Sequence, residues 1–161
     1  MESTGPKPPT AHTLRRNAAF APQLDNTDQG DHANAQRGLI APVPNDGVVT
    51  NKRGTKVWDL NNYAFLEDPD TGDAINPSLL RMARLNMSAG LFEVCERVYQ
   101  VRGMDLANMT IVETDDGVVL VDCLTTAEVA SAALDLYYAH RSRKPVKALI
   151  YTHSHVDHYG G

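Results

Sequence analysis

An α/β fold is predicted for this 161-residue chain by three features of its second half. Val118-Val119-Leu120-Val121 is an apolar run of strand length, and residues 146–151 form another, rich in β-branched and apolar types. Between them lies a segment with helical periodicity. Strand, crossover helix and strand in that order imply two neighbouring parallel strands joined by a right-handed connection. Directly after the second run comes His153-Ser154-His155-Val156-Asp157-His158-Tyr159-Gly160-Gly161. That position, the carboxyl end of a strand, is where open α/β sheets bind ligands.

Residues 1–36 are poor in large apolar side chains and rich in Pro, Asn, Gln and Asp. They read as a disordered or extended arm, with the first dozen residues disordered and the rest ordered only against something larger. Residues 37–90 read as an irregular region with one helix. Its turn-rich stretches surround an apolar knot in which Trp58, Tyr63 and Phe65 are packing anchors. Asn76 is placed as an N-cap and Pro77 at the first helical position. Leu79, Met82 and Ala83 share a face, and Gly90 is a plausible stop.

Residues 91–161 read as a partial domain of the order β-β-β-α-β. Val94, Val98, Tyr99 and Val101 mark the first strand and residues 109–112 the second. Asp115-Asp116-Gly117 is a turn with Gly117 where a positive φ is wanted. The third strand, 118–121, is apolar throughout, which suits a sheet covered on both faces. Thr125 and Glu128 have capping-box spacing. Val129, Ala132, Ala133, Leu136 and Tyr137 form the stripe of a helix lying on a sheet. Arg141, Arg143 and Lys144 suit its C-terminal end, and Pro145 terminates it.

The chemistry sits in residues 153–158. His153 and His155, at i and i+2 in a loop, can grip one ion together. Asp157 and His158 point differently and can address a second. Two ions about 3.5–4 Å apart can share and acidify a bridging water. Gly160 and Gly161 allow tight backbone passage beside such a site. His12 and His32 read as solvated, and His140 as a helix-end residue. Cys95 and Cys123 read as two buried thiols of a reducing compartment.

The segment from Thr152 to Gly161 resembles the signature of the metallo-β-lactamase fold superfamily. Within it, Tyr99-Gln100-Val101-Arg102-Gly103-Met104-Asp105-Leu106-Ala107-Asn108-Met109-Thr110-Ile111, Val119-Leu120-Val121-Asp122 and Ala148-Leu149-Ile150-Tyr151-Thr152 resemble the linear alkyl sulfatases. Ala35-Gln36-Arg37-Gly38, Val57-Trp58-Asp59-Leu60 and Asn76-Pro77-Ser78-Leu79 extend the likeness, which covers roughly residues 33–161. Cys123 departs from it, standing where relatives often have proline. The resemblance implies the N-terminal half of an αββα sandwich behind an irregular N-terminal arm. It implies two zinc ions, with His153 and His155 on the first and Asp157 and His158 on the second. It also implies a small alkyl sulfate ester as substrate, of the dodecyl sulfate type, cleaved to alcohol and sulfate. A homodimer is implied for the full-length form.

The family's other metal ligands, its substrate-binding groups, its dimerisation region and its C-terminal domain lie beyond these residues. The chain is therefore expected to be a fragment that is inactive alone, with no catalytic residue beyond the metal ligands. Two alternatives stand beside this reading. One is a different hydrolase on the same fold, acting on a lactam, thioester or phosphodiester. The other is a truncated, non-enzymatic metal-binding or partner-binding remnant.

Composition narrows the partners. A net charge of -5 without a basic run gives no footprint for nucleic acid. No run reaches the roughly 20 apolar residues of a membrane span. Prolines and a glycine stand where a secretory signal would place its apolar core, so the expected location is the cytoplasm.

Overall fold

The computed structural model describes residues 7–161 apart from Asn26 and Asp70. Of the segment expected to be disordered, residues 1–6 lie outside the described residues. From residue 11 the arm is helical rather than extended. It carries α1 (Ala11–Phe20), capped by the Thr10 side chain, and the short α2 (Gly30–Gln36). Neither helix has a buried residue, and α1 is tied down by Asn17, whose side-chain amide donates to the carbonyls of Asp73 and Ile75.

Next come β1 (Leu39–Pro42) and a small antiparallel pair, β2 (Val48–Thr50) with β3 (Lys56–Asp59). A 3-10 segment, Leu60–Glu67, leads to α3 (Pro77–Asn86). Trp58 anchors β3 as expected, donating through Nε1 to the Gly103 carbonyl at 3.1 Å, and Tyr63 stands near its ring. Phe65 is exposed and is not a buried anchor.

In α3 the Asn76 side chain accepts the Ser78 N–H at 3.0 Å, the cap that the sequence indicates. The expected apolar face is not the inner one, because Leu79 and Met82 are exposed. Arg84 instead turns inward, donating to the carbonyls of Leu66, Asp68 and Thr71. One guanidinium thereby serves three carbonyls of an irregular segment together. The helix stops at Asn86, ahead of Gly90. Gly90 opens the next strand at φ 150, where a Cβ would lie 2.3 Å from the Ala41 carbonyl.

The stretch expected as one strand is a hairpin, β4 (Gly90–Cys95) and β5 (Val98–Arg102). Arg97 makes the reversal with φ 65 and is held by donating to the Glu113 carbonyl and the Asp115 carboxylate. Then follow β6 (Met109–Glu113), β7 (Val118–Val121), α4 (Ala127–His140), β8 (Val146–Ile150) and a single turn, α5 (Val156–Tyr159). The main sheet runs β1-β4-β5-β6-β7-β8. Every pair is antiparallel except β7 with β8, which are parallel across the α4 crossover.

Tyr99, Val101, Met109, Ile111, Val118 and Leu120 share one buried face with Val129, Ala133, Leu136 and Tyr137 of α4. Each Val, Leu, Ile or Met side chain among them contributes roughly 1.5–3 kcal/mol when fully buried. This is the core. The opposite face lies open over β7 and β8: Val119 and Val121 are half-buried, and all five residues of β8 are exposed. Coverage on both faces is therefore not formed there by the described residues.

Three local expectations change. Gly117 does not have positive φ; it is required because a Cβ would lie 2.3 Å from Lys147 Cγ and 2.8 Å from the Pro145 carbonyl. Thr126, not Thr125, caps α4 by accepting the Val129 N–H. Cys95 is exposed at the end of β4, and only Cys123 is buried.

Candidate metal centre

The centre is built by two neighbouring chain reversals at the carboxyl ends of β7 and β8. β7 ends at Val121, and the turn into α4 contains two left-handed residues, Asp122 (φ 57) and Leu124 (φ 69). An L-residue resists that conformation by about 1–2 kcal/mol. Here it aims the Asp122 carboxylate sideways, under the end of β8. Asp122 is only 8% exposed. It accepts the Thr152 N–H at 2.9 Å and the Thr152 hydroxyl at 2.8 and 3.0 Å, and it meets His158 Nδ1 at 2.8 Å. Burial pushes the Asp122 carboxyl up, but the hydrogen bonds from Thr152 and His158 outweigh it and hold the group below the ordinary carboxylate value.

These contacts engage Nδ1 of two rings. A carboxylate only accepts, so His158 donates through Nδ1, and Nε2 is the ring nitrogen left to face a metal. The single Thr152 hydroxyl proton goes to Asp122. The oxygen therefore accepts at its 2.9 Å contact with His153 Nδ1, and His153 too is left with Nε2 to face a metal. The His153 ring centroid lies 4.0 Å from that of His158 and 4.7 Å from that of His155. Asp157 Oδ2 stands 3.3 Å from His158 Nε2.

Thus the structure sets the His153 ring between those of His158 and His155, and places Asp157 against His158. Asp157 and His158 lie on the single turn α5 rather than in a loop. Among the described residues no group of three or more His, Cys, Asp or Glu side chains converges tightly enough to hold an ion by itself. The donor types fit a metal, and the set is partial. His12 and His32 are exposed, and His140 ends α4, as expected. Cys123 is not aimed at a metal: burial pushes its thiol up, and its sulfur lies 3.8 Å from the His158 carbonyl.

The two glycines pack as expected. A Cβ on Gly160 would lie 2.2 Å from the Thr125 carbonyl, and one on Gly161 would lie 1.9 Å from the Cys123 carbonyl. Asp122 and Thr152 are the site residues that sequence reasoning passed over. A polar residue closing each of two parallel apolar strands at their carboxyl ends is the signal that marks them.

Residues 102–161 match the model of the metallo-beta-lactamase superfamily. An (R)-specific secondary-alkylsulfatase of a Pseudomonas species is 52% identical over 160 residues, covering 99% of this chain and 24% of its own length. A linear primary-alkylsulfatase of a Pseudomonas species is 47% identical over 156 residues, covering 96% and 23% respectively. The solved structure of a stereoselective inverting sec-alkylsulfatase from a Pseudomonas species superimposes with a TM-score of 0.88 at 53% identity, covering 99% of this chain and 25% of that one.

Residues 102–161 are thus similar to the metallo-beta-lactamase superfamily, and that superfamily implies metal binding. Along almost its entire length the chain is a homologue of the alkylsulfatases, of which it spans about a quarter. Among the described residues no helix is long and apolar enough to cross a membrane.

Proposed function

We propose that this chain is part of a zinc-dependent alkylsulfatase that hydrolyses alkyl sulfate esters, of the dodecyl sulfate type, to alcohol and inorganic sulfate. The observation that carries the reading is the pair of hydrogen bonds that engage His153 Nδ1 with Thr152 and His158 Nδ1 with Asp122, leaving each Nε2 free at the carboxyl edge of the sheet. His153 and His155 would hold one zinc ion, and Asp157 and His158 the other. Bound zinc would supply charge neutralisation and an acidified water. The chain's own part is to orient the ligands: Asp122 and Thr152 fix the rings, and the glycines let the backbone pass close beneath them.

A cavity of about 500 Å³, with apolar walls on one part and Asn86, Gln100, Arg102 and Asn108 on another, supports a substrate that pairs a hydrocarbon with a polar head. Its walls include Trp58, Tyr63, Leu66 and Leu106. It adjoins the β5–β6 loop, at the same edge of the sheet as residues 153–158. The division into an arm (1–36), an irregular region (37–90) and a partial metallo-β-lactamase-like domain (91–161) belongs to the same proposal. So does a homodimer of the longer form.

Sulfate release from dodecyl sulfate and from a secondary alkyl sulfate, with added zinc, tests the reading. The expected result is no turnover by the 161-residue chain. A protein carrying it within the full length of its relatives should show zinc-dependent release that His153→Ala abolishes. Turnover of a lactam, thioester or phosphodiester in place of either sulfate ester would favour the other hydrolase reading.

A further inference from the structure

Asp105 is a buried carboxylate, 8% exposed, that the proposed chemistry does not use. It lies in the loop between β5 and β6, remote in sequence from the histidines. Its Oδ1 accepts the Leu106 N–H at 2.6 Å and the Thr125 hydroxyl at 2.8 Å, and its Oδ2 accepts the Thr125 N–H at 2.7 Å. Within the turn from Asp122 to Thr125, Asp105 thereby engages Thr125 through both its N–H and its hydroxyl.

On the far side of that turn the histidine segment leans on it directly. The Cys123 N–H donates to the His158 carbonyl at 2.9 Å, and the Gly161 N–H donates to the Leu124 carbonyl at 2.9 Å. The Thr125 carbonyl packs against Gly160 so closely that no Cβ fits between them. The turn itself holds two left-handed non-glycine residues, Asp122 and Leu124. Such strain persists only where the surroundings over-determine the conformation. Contacts from β8 and residues 158–161 fix one side of it, and Asp105 fixes the other.

We propose that Asp105 is a positioning residue for residues 153–161, acting through the 122–125 turn, an inference that rests on reading those residues as a metal centre. Helix capping does not account for Asp105, since Thr126 already caps α4. Pinning its own loop would need only the bond to Leu106 N–H. The two bonds to Thr125 are the ones that reach the site.

The test is carried out on the whole chain with Asp105→Asn, which keeps the shape but replaces one acceptor with an amide NH2, and with Thr125→Ser, which keeps both Thr125 donors. Thr125→Val, which removes the hydroxyl bond alone, carries the test if Asp105→Asn does not fold. Amide hydrogen exchange is read at Cys123 and Gly161, and zinc affinity by calorimetry at a temperature where every variant is folded. Asp105→Asn should lower protection at both amides and weaken zinc binding by about tenfold or more, the lower end of the range for supporting groups. Thr125→Val should move the same readouts in the same direction by less, and Thr125→Ser should match the parent.

Exchange changes confined to Leu106 and Thr125, or unaltered zinc affinity despite lower thermal stability, would overturn the proposal. A parent chain that takes up no zinc would overturn the metal reading instead. The exchange result alone would then decide whether Asp105 braces the turn.

Discussion

The Asp122 carboxylate accepts the His158 Nδ1 proton across 2.8 Å and so leaves Nε2 as the ring's only free donor atom for a metal. Supporting carboxylates of this kind raise the basicity of the ring and hold its orientation. Asn tolerates left-handed φ, so Asp122→Asn leaves the turn intact and removes the anionic acceptor. Calorimetry should show zinc affinity reduced 10- to 100-fold, the range for such partners. Unchanged affinity would mean that the ring is oriented by something else.

The cavity near the site gives a second prediction. Leu106 is 73% exposed although Met104, Asp105 and Ala107 around it are buried. The loop therefore presents one leucine outward while its neighbours are fixed. Trp58, the chain's single tryptophan, lines the same cavity and reports on it by fluorescence. Alkyl sulfonates below their micelle concentration should change Trp58 emission saturably, the decyl compound binding about tenfold more tightly than the octyl at about 0.8 kcal/mol per CH2. Leu106→Asp should weaken that binding with an unaltered far-UV circular dichroism spectrum. Emission that ignores chain length would remove the cavity from the account.

The two cysteines should differ in reactivity. Cys95 is exposed, and Cys123 is buried with its thiol pushed up by that burial. Thiolate is the reactive species. A thiol reagent at pH 8 should therefore consume one equivalent rapidly and the second only on unfolding. Cys95→Ser should abolish the fast phase.

Alkaline stability tests the core. Burial, reinforced by the hydrogen bond its phenol donates to Glu113, pushes Tyr137 well above the ordinary tyrosine value. An unfolded tyrosine ionises near pH 10, so above that pH the unfolded state sheds a proton that the folded state keeps. The contribution is complete below about pH 10 and is lost as pH rises beyond it. Tyr137→Phe should cost about 1–3 kcal/mol at pH 7 through the broken bond to Glu113. Denaturant titrations at pH 9 and pH 11 should then show a smaller alkaline loss in Tyr137→Phe than in the parent.

What the sequence made legible was local. The N-cap at Asn76, the α4 stripe and the parallel β7–α4–β8 unit each depend on neighbouring residues, and the histidine cluster is contiguous. What it concealed depends on distant partners. Asp105 meets Thr125, Asp122 meets Thr152 and His158, and Trp58 meets Gly103, and no periodicity encodes those pairs. The inner face of α3 was hidden because Arg84 turns inward, against the apolar pattern, to donate to the carbonyls of Leu66, Asp68 and Thr71. Gly117 was assigned its role from turn chemistry, when the close approach of Pro145 and Lys147 requires it. The capping residue shifted from Thr125 to Thr126 because the buried Asp105 engages Thr125.

Zinc titration into the chain, beside a His153→Ala/His155→Ala variant, addresses the claim that residues 153–158 form a metal centre most directly. Binding in the parent that the double substitution abolishes, with the fold retained by circular dichroism, is the result expected. Equal binding in both, or none in either, would contradict it.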